Sequence, residues 1–164
     1  MTGYVISGVD PQPFVSLYGL DEAALAEQGA IRVAVTDKPG APCRITLEDA
    51  DPGETVLLVN HEHLPVDTPY RSRDAIYVRE GAREAARLEN AVPEQLTIRL
   101  LSVRAFDANG MMTDADVVEG DMLVPLIERM FFDRQVAYLH AHNAKRGCFA
   151  ARIDRFDGLE RKVA

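Results

Sequence analysis

The dipeptide Asn109-Gly110 separates two extended runs, LTIRLLSVRAFDA and MMTDADVV, and this arrangement constrains the fold more than any other local feature. Asn-Gly is the preferred two-residue turn of a β-hairpin, because both residues tolerate the positive φ angles that the turn needs. Further short runs alternate between polar and apolar residues or are strongly apolar: IRVAVT, ETVLLVNHEH, AIYVRE, VAYLHAH and CFAARIDRF. Many hairpin-like strands beside a few helices predict an α+β fold with a mainly antiparallel central sheet.

Three segments have the composition and spacing of helices. DEAALAEQGA begins at a candidate N-cap, Asp21, and ends at Gly29. GDMLVPLIERMFFD repeats its apolar residues at helical spacing, which indicates an amphipathic helix. GAREAARLENA is strongly charged and predicts an exposed helix.

The remaining segments complete one domain that spans the whole chain. CRITLEDA indicates a short strand whose Cys43 shares a face with two apolar residues. Residues 1–20 predict an irregular N-terminal segment, since Pro and Gly punctuate it, and residues 155–164 predict a C-terminal tail.

The composition excludes several classes of protein. With 47% hydrophobic and 27% charged residues, the 164-residue chain has the balance of an ordinary globular domain. Its formal net charge of −8 repels phosphate backbones, so we expect no nucleic-acid partner. No apolar run approaches the roughly 20 residues that span a bilayer, and the N-terminus lacks the features of a secretory signal. We therefore expect no membrane association, a cytoplasmic location and two reduced cysteines.

Four histidines form two His-x-His pairs, His61/His63 and His140/His142. Residues two apart on a strand point to the same face with Cα atoms roughly 6.5–7 Å apart, so two imidazoles can converge on one metal ion or one substrate. The pair at 61 and 63 lies where a strand meets a loop, and we expect both of its side chains to be solvated.

His140, His142 and Cys148 are the candidate catalytic residues. Together with Cys43 they are also the candidate metal ligands, since imidazole and thiolate groups suit zinc. Zinc is a candidate but is not favoured, because neither Cys-x2-Cys nor His-Glu-x-x-His spacing occurs, and the cofactor stays unknown. The apolar run VAYLHAH leaves two alternatives open: core histidines with a satisfied hydrogen bond, or a metal-free polar pocket.

The loop NAKRG decides whether a sulfur joins the histidines. An odd-length loop places Cys148 opposite His142 on one face of the hairpin, whereas an even-length loop places it on the other face. We predict the odd loop, with Gly147 in a left-handed conformation.

The segment TPYRSRDAIYVRE concentrates cations in an acidic chain. Tyr70 and Arg71 are candidates for holding the carboxylate or phosphate of a small molecule, because guanidinium groups bind these anions in bidentate geometry. The alternative is that the arginines pair with the abundant Asp and Glu side chains at the surface.

Three longer stretches carry a family resemblance: PGAPCRITLEDADPGETVLLVNHEHLPVDTPYRSRDAIYVRE, RAFDANGMMTDADVVEG and YLHAHNAKRGCFAARI. Over residues 39–153 the chain resembles the small bacterial family named domain of unknown function 1203. The resemblance implies a single bacterial domain and assigns no reaction. Its most specific pieces make Cys43, Arg44, Tyr70, Arg71 and Asn143 the suspected ligand-binding residues. Those pieces are Pro42-Cys43-Arg44, Pro69-Tyr70-Arg71, His140-x-His142-Asn143 and Gly147-Cys148.

Two classes of function remain open. As an enzyme, the protein would use one histidine as a general base and Cys148 as a nucleophile or metal ligand, with a small anionic molecule bound near the last hairpin. As a binding or homo-oligomerising module, it would use the same residues to recognise the molecule or to stiffen a sheet that pairs with a second copy. A homodimer is the commonest assembly of soluble proteins.

Overall fold

Seven pairs of neighbouring strands, all antiparallel, build the sheets of this protein. The computed structural model describes residues 2–158. Within this range the strands are β1 (Tyr4–Ser7), β2 (Ile31–Ala34), β3 (Thr55–Leu64), β4 (Ser72–Arg79), β5 (Arg87–Glu89), β6 (Leu100–Phe106), β7 (Met112–Glu119), β8 (Tyr138–Asn143) and β9 (Phe149–Arg155). The helices are α1 (Gln12–Val15), α2 (Glu22–Glu27), α3 (Glu94–Thr97) and α4 (Leu123–Phe132).

The strands form one large sheet and one small sheet. The six-stranded sheet has the order β5-β1-β9-β8-β6-β7, and the three-stranded sheet has the order β2-β3-β4. The predicted α+β fold with a mainly antiparallel sheet is confirmed.

The predicted hairpin around Asn109-Gly110 joins β6 and β7. Its turn is longer than two residues, since the Asp107 N–H donates to Met111 O at 2.9 Å. Gly110 has a positive φ, whereas Asn109 does not. The Asp107 carboxylate accepts the N–H groups of Asn109 and Met111, so a side chain stabilises a longer turn than the sequence predicts.

Two of the three predicted helices are present. The Asp21 carboxylate accepts the Ala24 N–H at 2.8 Å and caps α2, and Gly29 follows with a φ of 70°. Helix α4 buries one face against the large sheet, and Pro125 lies in its first turn, where its missing N–H costs no hydrogen bond. None of the helices in the described range is long and apolar enough to cross a membrane.

The third predicted helix is wrong. GAREAARLENA forms a turn followed by β5, which pairs with β1 at the edge of the large sheet. Leu88 of β5 lies opposite Ile6 of β1 and packs against the main core. Tertiary pairing therefore outweighs the helical propensity of this charged segment.

The predicted strand CRITLEDA is also wrong. The segment folds as a series of turns in which Leu47 has a φ of 54°. It buries all three apolar positions, with Cys43 and Ile45 in the core of the small sheet and Leu47 in the larger core. The apolar positions of this segment are buried, but its local conformation is not the predicted strand.

The chain termini differ in part from expectation. The segment 1–20, expected to be irregular, contains β1 and α1, and β1 lies between two partners within the large sheet. The tail predicted at 155–164 begins at the last residue of β9, and residues 159–164 lie outside the described range.

Two hydrophobic cores meet at the start of β9. The larger core lies between the large sheet and α4. The second packs around β3 and β4 of the small sheet and also includes Phe149, the first residue of β9. One residue of the large sheet therefore belongs to the core of the small one.

Candidate functional site

Phe149 connects the two sheets. Its ring stacks on His63 of β3, with 5.0 Å between ring centres and 5° between ring planes. It meets the rings of His140 and His142 of β8 edge-on, at 4.9 and 5.8 Å. Its backbone N–H donates to the Asp74 carboxylate of β4 at 2.8 Å. Three imidazoles are therefore held around one phenyl ring where the sheets meet.

Strand pleating places His140 and His142 on the same face of β8. Leu139 and Ala141 alternate with them and pack in the larger core, so both imidazoles face the small sheet, where His63 lies. The His63 ring centre is 5.7 Å from His140 and 5.0 Å from His142. One nitrogen from each ring lies within 4.8 Å of the other two. These three residues are called the histidine cluster below.

Burial keeps the histidine cluster uncharged at neutral pH. His140 and His142 are each 1% exposed. Burial lowers the pKa of His140 to about 2 and the pKa of His142 to about 4. Burial also lowers the pKa of His63, and the nearby Asp74 carboxylate opposes this shift. Neutral imidazole is the form that coordinates metal ions.

Three nitrogens of the histidine cluster have no hydrogen-bond partner among residues 2–158. They are His140 Nδ1 and both ring nitrogens of His63, and all three are buried. The Asp74 Oδ2 atom lies 3.0 Å from His63 Nε2, a close polar contact that does not have the geometry of a hydrogen bond. The cluster is therefore incomplete as a hydrogen-bond network.

His142 is held differently, by the last hairpin. Its Nδ1–H donates to Gly147 O at 2.9 Å, because a carbonyl oxygen can only accept. Its Nε2 lies 3.4 Å from Nη1 of Arg104 on β6. The hydrogen bond to Gly147 O therefore fixes the ring, and Nε2 is the nitrogen whose lone pair can accept a hydrogen bond.

The pairing predicted across this hairpin is wrong. His142 lies opposite Phe149 rather than Cys148, because Asn143 still belongs to β8 and its N–H donates to Cys148 O at 2.9 Å, which leaves an even loop of residues 144–147. Gly147 does adopt the predicted left-handed conformation, with a φ of 79°. A separate register shift lies between Ala141 and His142, further from the turn.

His63 and Asp74 were not among the predicted site residues. His63 was expected to be solvated, yet it is 9% exposed. The alternation of side chains along two strands could have predicted their burial. His63 lies on the same face of β3 as Leu57 and Val59, and Asp74 lies on the same face of β4 as Ile76. Both faces are apolar further along the strand, so both polar residues are directed inward.

A cleft of about 990 Å³ opens beside the histidine cluster. Asp74 belongs to both features, since its carboxylate contacts His63 and lines the cleft. The polar side chains of the lining are Arg44, Asp74, Tyr77, Arg99, Glu119, Asn143, Lys145, Arg146 and Cys148.

Arg44 is a buried cation in the wall of this cleft. The residue is 1% exposed, and its guanidinium donates to Pro42 O at 2.6 Å and to Phe149 O at 2.8 Å. It also donates to Cys148 Sγ at 2.9 Å. No carboxylate in the described part of the chain forms an ion pair with it. Burial lowers the pKa of Arg44, and the adjacent Cys148 sulfur opposes this shift.

Cys148 and Asn143 complete this wall. The Asn143 side-chain N–H₂ points at Cys148 Sγ, at 3.9 Å, while Asn143 Oδ1 is buried without a hydrogen-bond partner among residues 2–158. Cys148 is half-buried and is a free thiol. The structure therefore brings three predicted residues together: Arg44, Asn143 and Cys148.

Three other predicted residues lie apart from the cleft lining. Cys43 is fully buried, and its sulfur accepts the backbone N–H groups of Thr46 and Arg79. The Tyr70 ring packs against an apolar cluster. Arg71 pairs with Glu62 on the exposed surface. Arg71 thus follows the surface-pairing alternative, and Cys43 resembles a core side chain.

The chain matches a family model over residues 40–155, and the family is described as Protein of unknown function (DUF1203). Because the match covers most of the chain, the protein belongs to this family, and the resemblance noted from the sequence is confirmed. No curated protein and no solved structure matches the chain.

Proposed function

We propose that this member of the DUF1203 family binds a small anionic molecule in the cleft beside Arg44. The observation that carries the proposal is the state of the Arg44 guanidinium, which is buried at the cleft without a carboxylate partner in residues 2–158. A buried charge is costly unless it is paired, so an anion in the cleft supplies the missing counter-charge.

The charge of the lining supports the same ligand class. Four cationic residues face two acidic ones, although the whole chain has a net charge of −8. Arg99 is already committed to the Asp49 carboxylate through two hydrogen bonds, at 2.9 and 2.7 Å. The exposed Lys145 and Arg146 remain to attract an anion towards Arg44.

The amide of Asn143 adds a second recognition element. Its buried Oδ1 accepts no hydrogen bond within residues 2–158, and leaving such an acceptor unsatisfied costs about 1–3 kcal/mol. A ligand hydroxyl or amine next to the anionic group would satisfy it. The proposed ligand is therefore a carboxylate or phosphate with a neighbouring hydrogen-bond donor.

Covalent catalysis by Cys148 stays a prediction and is not part of this proposal. The Cys148 sulfur contacts Arg44 and Asn143, and no hydrogen bond within residues 2–158 joins it to an imidazole. A bacterial source, a cytoplasmic location and a homodimer likewise stay predictions. Light scattering on the purified protein tests the homodimer directly.

Thermal unfolding with added anions tests the proposed function. The probes are inorganic phosphate, acetate, lactate and glycerol phosphate at low ionic strength. We expect at least one hydroxyl-bearing anion to raise Tm with increasing concentration, because a ligand that binds the folded state stabilises it.

Two single-charge variants locate the effect. Arg146→Gln removes an exposed cation of the cleft and is expected to weaken the Tm shift several-fold. Arg129→Gln removes a cation from α4, outside the cleft lining, and is expected to leave the shift unchanged. Equal loss in both variants, or no response to any of the four anions, contradicts the proposal.

A further inference from the structure

We propose that His63, His140 and His142 form a binding site for a divalent transition-metal ion, with zinc as the expected ion. This site goes beyond the proposed anion cleft and does not depend on it, because none of the three residues is among those that line the cleft. The two proposals can therefore fail separately.

The spacing of the three imidazoles suits one ion. One nitrogen from each ring lies within 4.8 Å of the other two. Zn–N bonds of about 2.0–2.1 Å in tetrahedral geometry place the ligand nitrogens roughly 3.4 Å apart. The rings must therefore approach one another by at most about 1.4 Å, which small side-chain rotations provide.

The unsatisfied nitrogens argue against a purely structural role. The ring nitrogens of a buried histidine ordinarily have hydrogen-bond partners. Here His140 Nδ1 and both nitrogens of His63 are buried without a hydrogen-bond partner in the described part of the chain. Coordination to one ion would satisfy a nitrogen on each of these rings at once.

The surroundings already orient two of the ligands. The Gly147 carbonyl accepts the His142 Nδ1–H, which fixes the tautomer and leaves Nε2 as the nitrogen that carries the lone pair. Asp74 Oδ2 lies 3.0 Å from His63 Nε2 and 3.5 Å from His142 Nδ1, so a negative charge stands beside the cluster. Histidine ligands of metal ions regularly have carbonyl and carboxylate partners of this kind.

Arg104 lies against the cluster and must turn away when a cation binds. Its Nη1 is 3.4 Å from His142 Nε2, which is a long and weak hydrogen bond. The residue is half-buried on β6, opposite His140 in register. Because the side chain is long and partly solvated, it can rotate towards water, so it weakens metal binding without blocking it.

The ligand set selects both the kind of ion and the kind of site. Three neutral imidazoles favour zinc and neighbouring transition metals over magnesium and calcium, which prefer oxygen ligands. Three protein ligands also leave a fourth position for water or a substrate, as in catalytic rather than structural zinc sites. Asp74 is half-buried and lines the cleft, so the histidine cluster approaches the cleft on the Asp74 side.

Cobalt titration of the full-length protein, after removal of metal with a chelator, tests the site. We expect one Co²⁺ per chain, with the intense visible absorption of four-coordinate cobalt, and displacement of that absorption by one equivalent of Zn²⁺. The separate variants His140→Gln and His142→Gln are expected to weaken cobalt binding at least 100-fold, because even loss of an outer-shell partner costs about 10–100-fold.

His61→Gln is the matched control. His61 is the fourth histidine of the chain and lies outside the cluster, with its ring edge-on to Phe14. This variant is expected to bind cobalt as the wild type does. Circular dichroism of each metal-free variant identifies any that fails to fold.

A measurement on the wild-type chain makes the test independent of folding defects. In ¹⁵N-labelled protein, Zn²⁺ is expected to shift the imidazole resonances of three histidines and to leave those of His61 in place. The proposal is overturned if folded wild-type protein takes up no Co²⁺, if both ligand variants retain binding, or if His61→Gln abolishes it. A zinc shift confined to the His61 resonances also overturns it.

Discussion

The half-buried Arg32–Glu80 pair and the buried histidine cluster are both polar groups, yet their hydrogen bonding differs. The Glu80 carboxylate accepts two bonds from Arg32 at 2.9 and 2.7 Å. It also accepts the Thr55 hydroxyl at 2.8 Å and the Gly19 N–H at 2.9 Å. The remaining donors of Arg32 reach Glu22 and the Leu20 carbonyl.

The histidine cluster, by contrast, is incompletely hydrogen-bonded. Its rings are more deeply buried than the Arg32 side chain, but three of its nitrogens have no partner within residues 2–158. The Arg32–Glu80 pair is therefore complete as it stands, and its role is to hold the small sheet against the N-terminal helices. An incomplete cluster at the junction of two sheets is instead a place where a ligand supplies what the protein lacks.

Removing the charge of Glu80 is expected to change stability more than any other substitution proposed below. Glu80→Gln is predicted to lower the free energy of unfolding by about 2 kcal/mol, since hydrogen bonds to a charged group contribute about 1.5–3 kcal/mol. Urea denaturation at pH 7 measures the change. Glu27→Gln, at an exposed position of α2, is the control and is expected to change stability by less than about 0.5 kcal/mol. An equal loss of stability in the two variants would show that the hydrogen bonds of Glu80 contribute no more than an exposed carboxylate does.

The same pair predicts a pH dependence. Hydrogen bonds from Arg32 lower the pKa of Glu80 to about 2, from an ordinary value of 4.5. Because the folded-state pKa is the lower one, this contribution to stability is complete above pH 4.5 and is lost as the pH falls towards 2. The stability difference between wild type and Glu80→Gln is therefore expected to shrink over that interval. A difference that stays constant from pH 7 to pH 3 contradicts this assignment.

An intermediate effect is expected at the histidine cluster itself. Arg104→Gln removes the cation 3.4 Å from His142 Nε2 and is predicted to tighten Co²⁺ binding about tenfold, because like charges at short range repel. Competition with a coloured chelator measures the affinity. Arg129→Gln serves as the distant control, and unchanged or weaker binding in Arg104→Gln would show that the arginine does not oppose the ion.

Apart from the controls, replacing His140 by leucine is expected to change the stability of the metal-free protein least of these variants. In chelator-treated protein, His140→Leu is predicted to change the free energy of unfolding by less than about 1 kcal/mol, since it removes a buried polar atom that has no partner. Urea denaturation in the presence of chelator measures this. A loss of more than about 3 kcal/mol would show that His140 is needed for the fold without any metal.

Local patterns predicted much of the fold but little of what crosses between the sheets. Alternation and the Asn109-Gly110 turn were sufficient for the antiparallel arrangement, and pleating placed His140 and His142 on one face. Contacts between segments that are distant in the sequence could not be predicted from local patterns. His63 joins the cluster through the packing of β3 against β8, which no local pattern encodes.

Two further errors have the same origin. The segment containing Leu88 has the composition of a helix, but β1 has an edge that only a strand can pair with. The position of Cys148 depended on which residue ends β8, and because Asn143 continues the strand opposite Cys148, Phe149 is the residue that faces His142. Sequence periodicity does not show where a strand ends or which partner a segment pairs with, so predictions based on it fail at both places.

The peptide groups of Phe149 give the two proposed sites a common support. Asp74, beside the histidine cluster, accepts its N–H, and Arg44, in the cleft wall, donates to its carbonyl oxygen. Displacing either partner disturbs the residue on which all three imidazoles pack. Thermodynamic linkage then requires reciprocity: any factor by which an anion alters the affinity for the ion is the factor by which the ion alters the affinity for the anion.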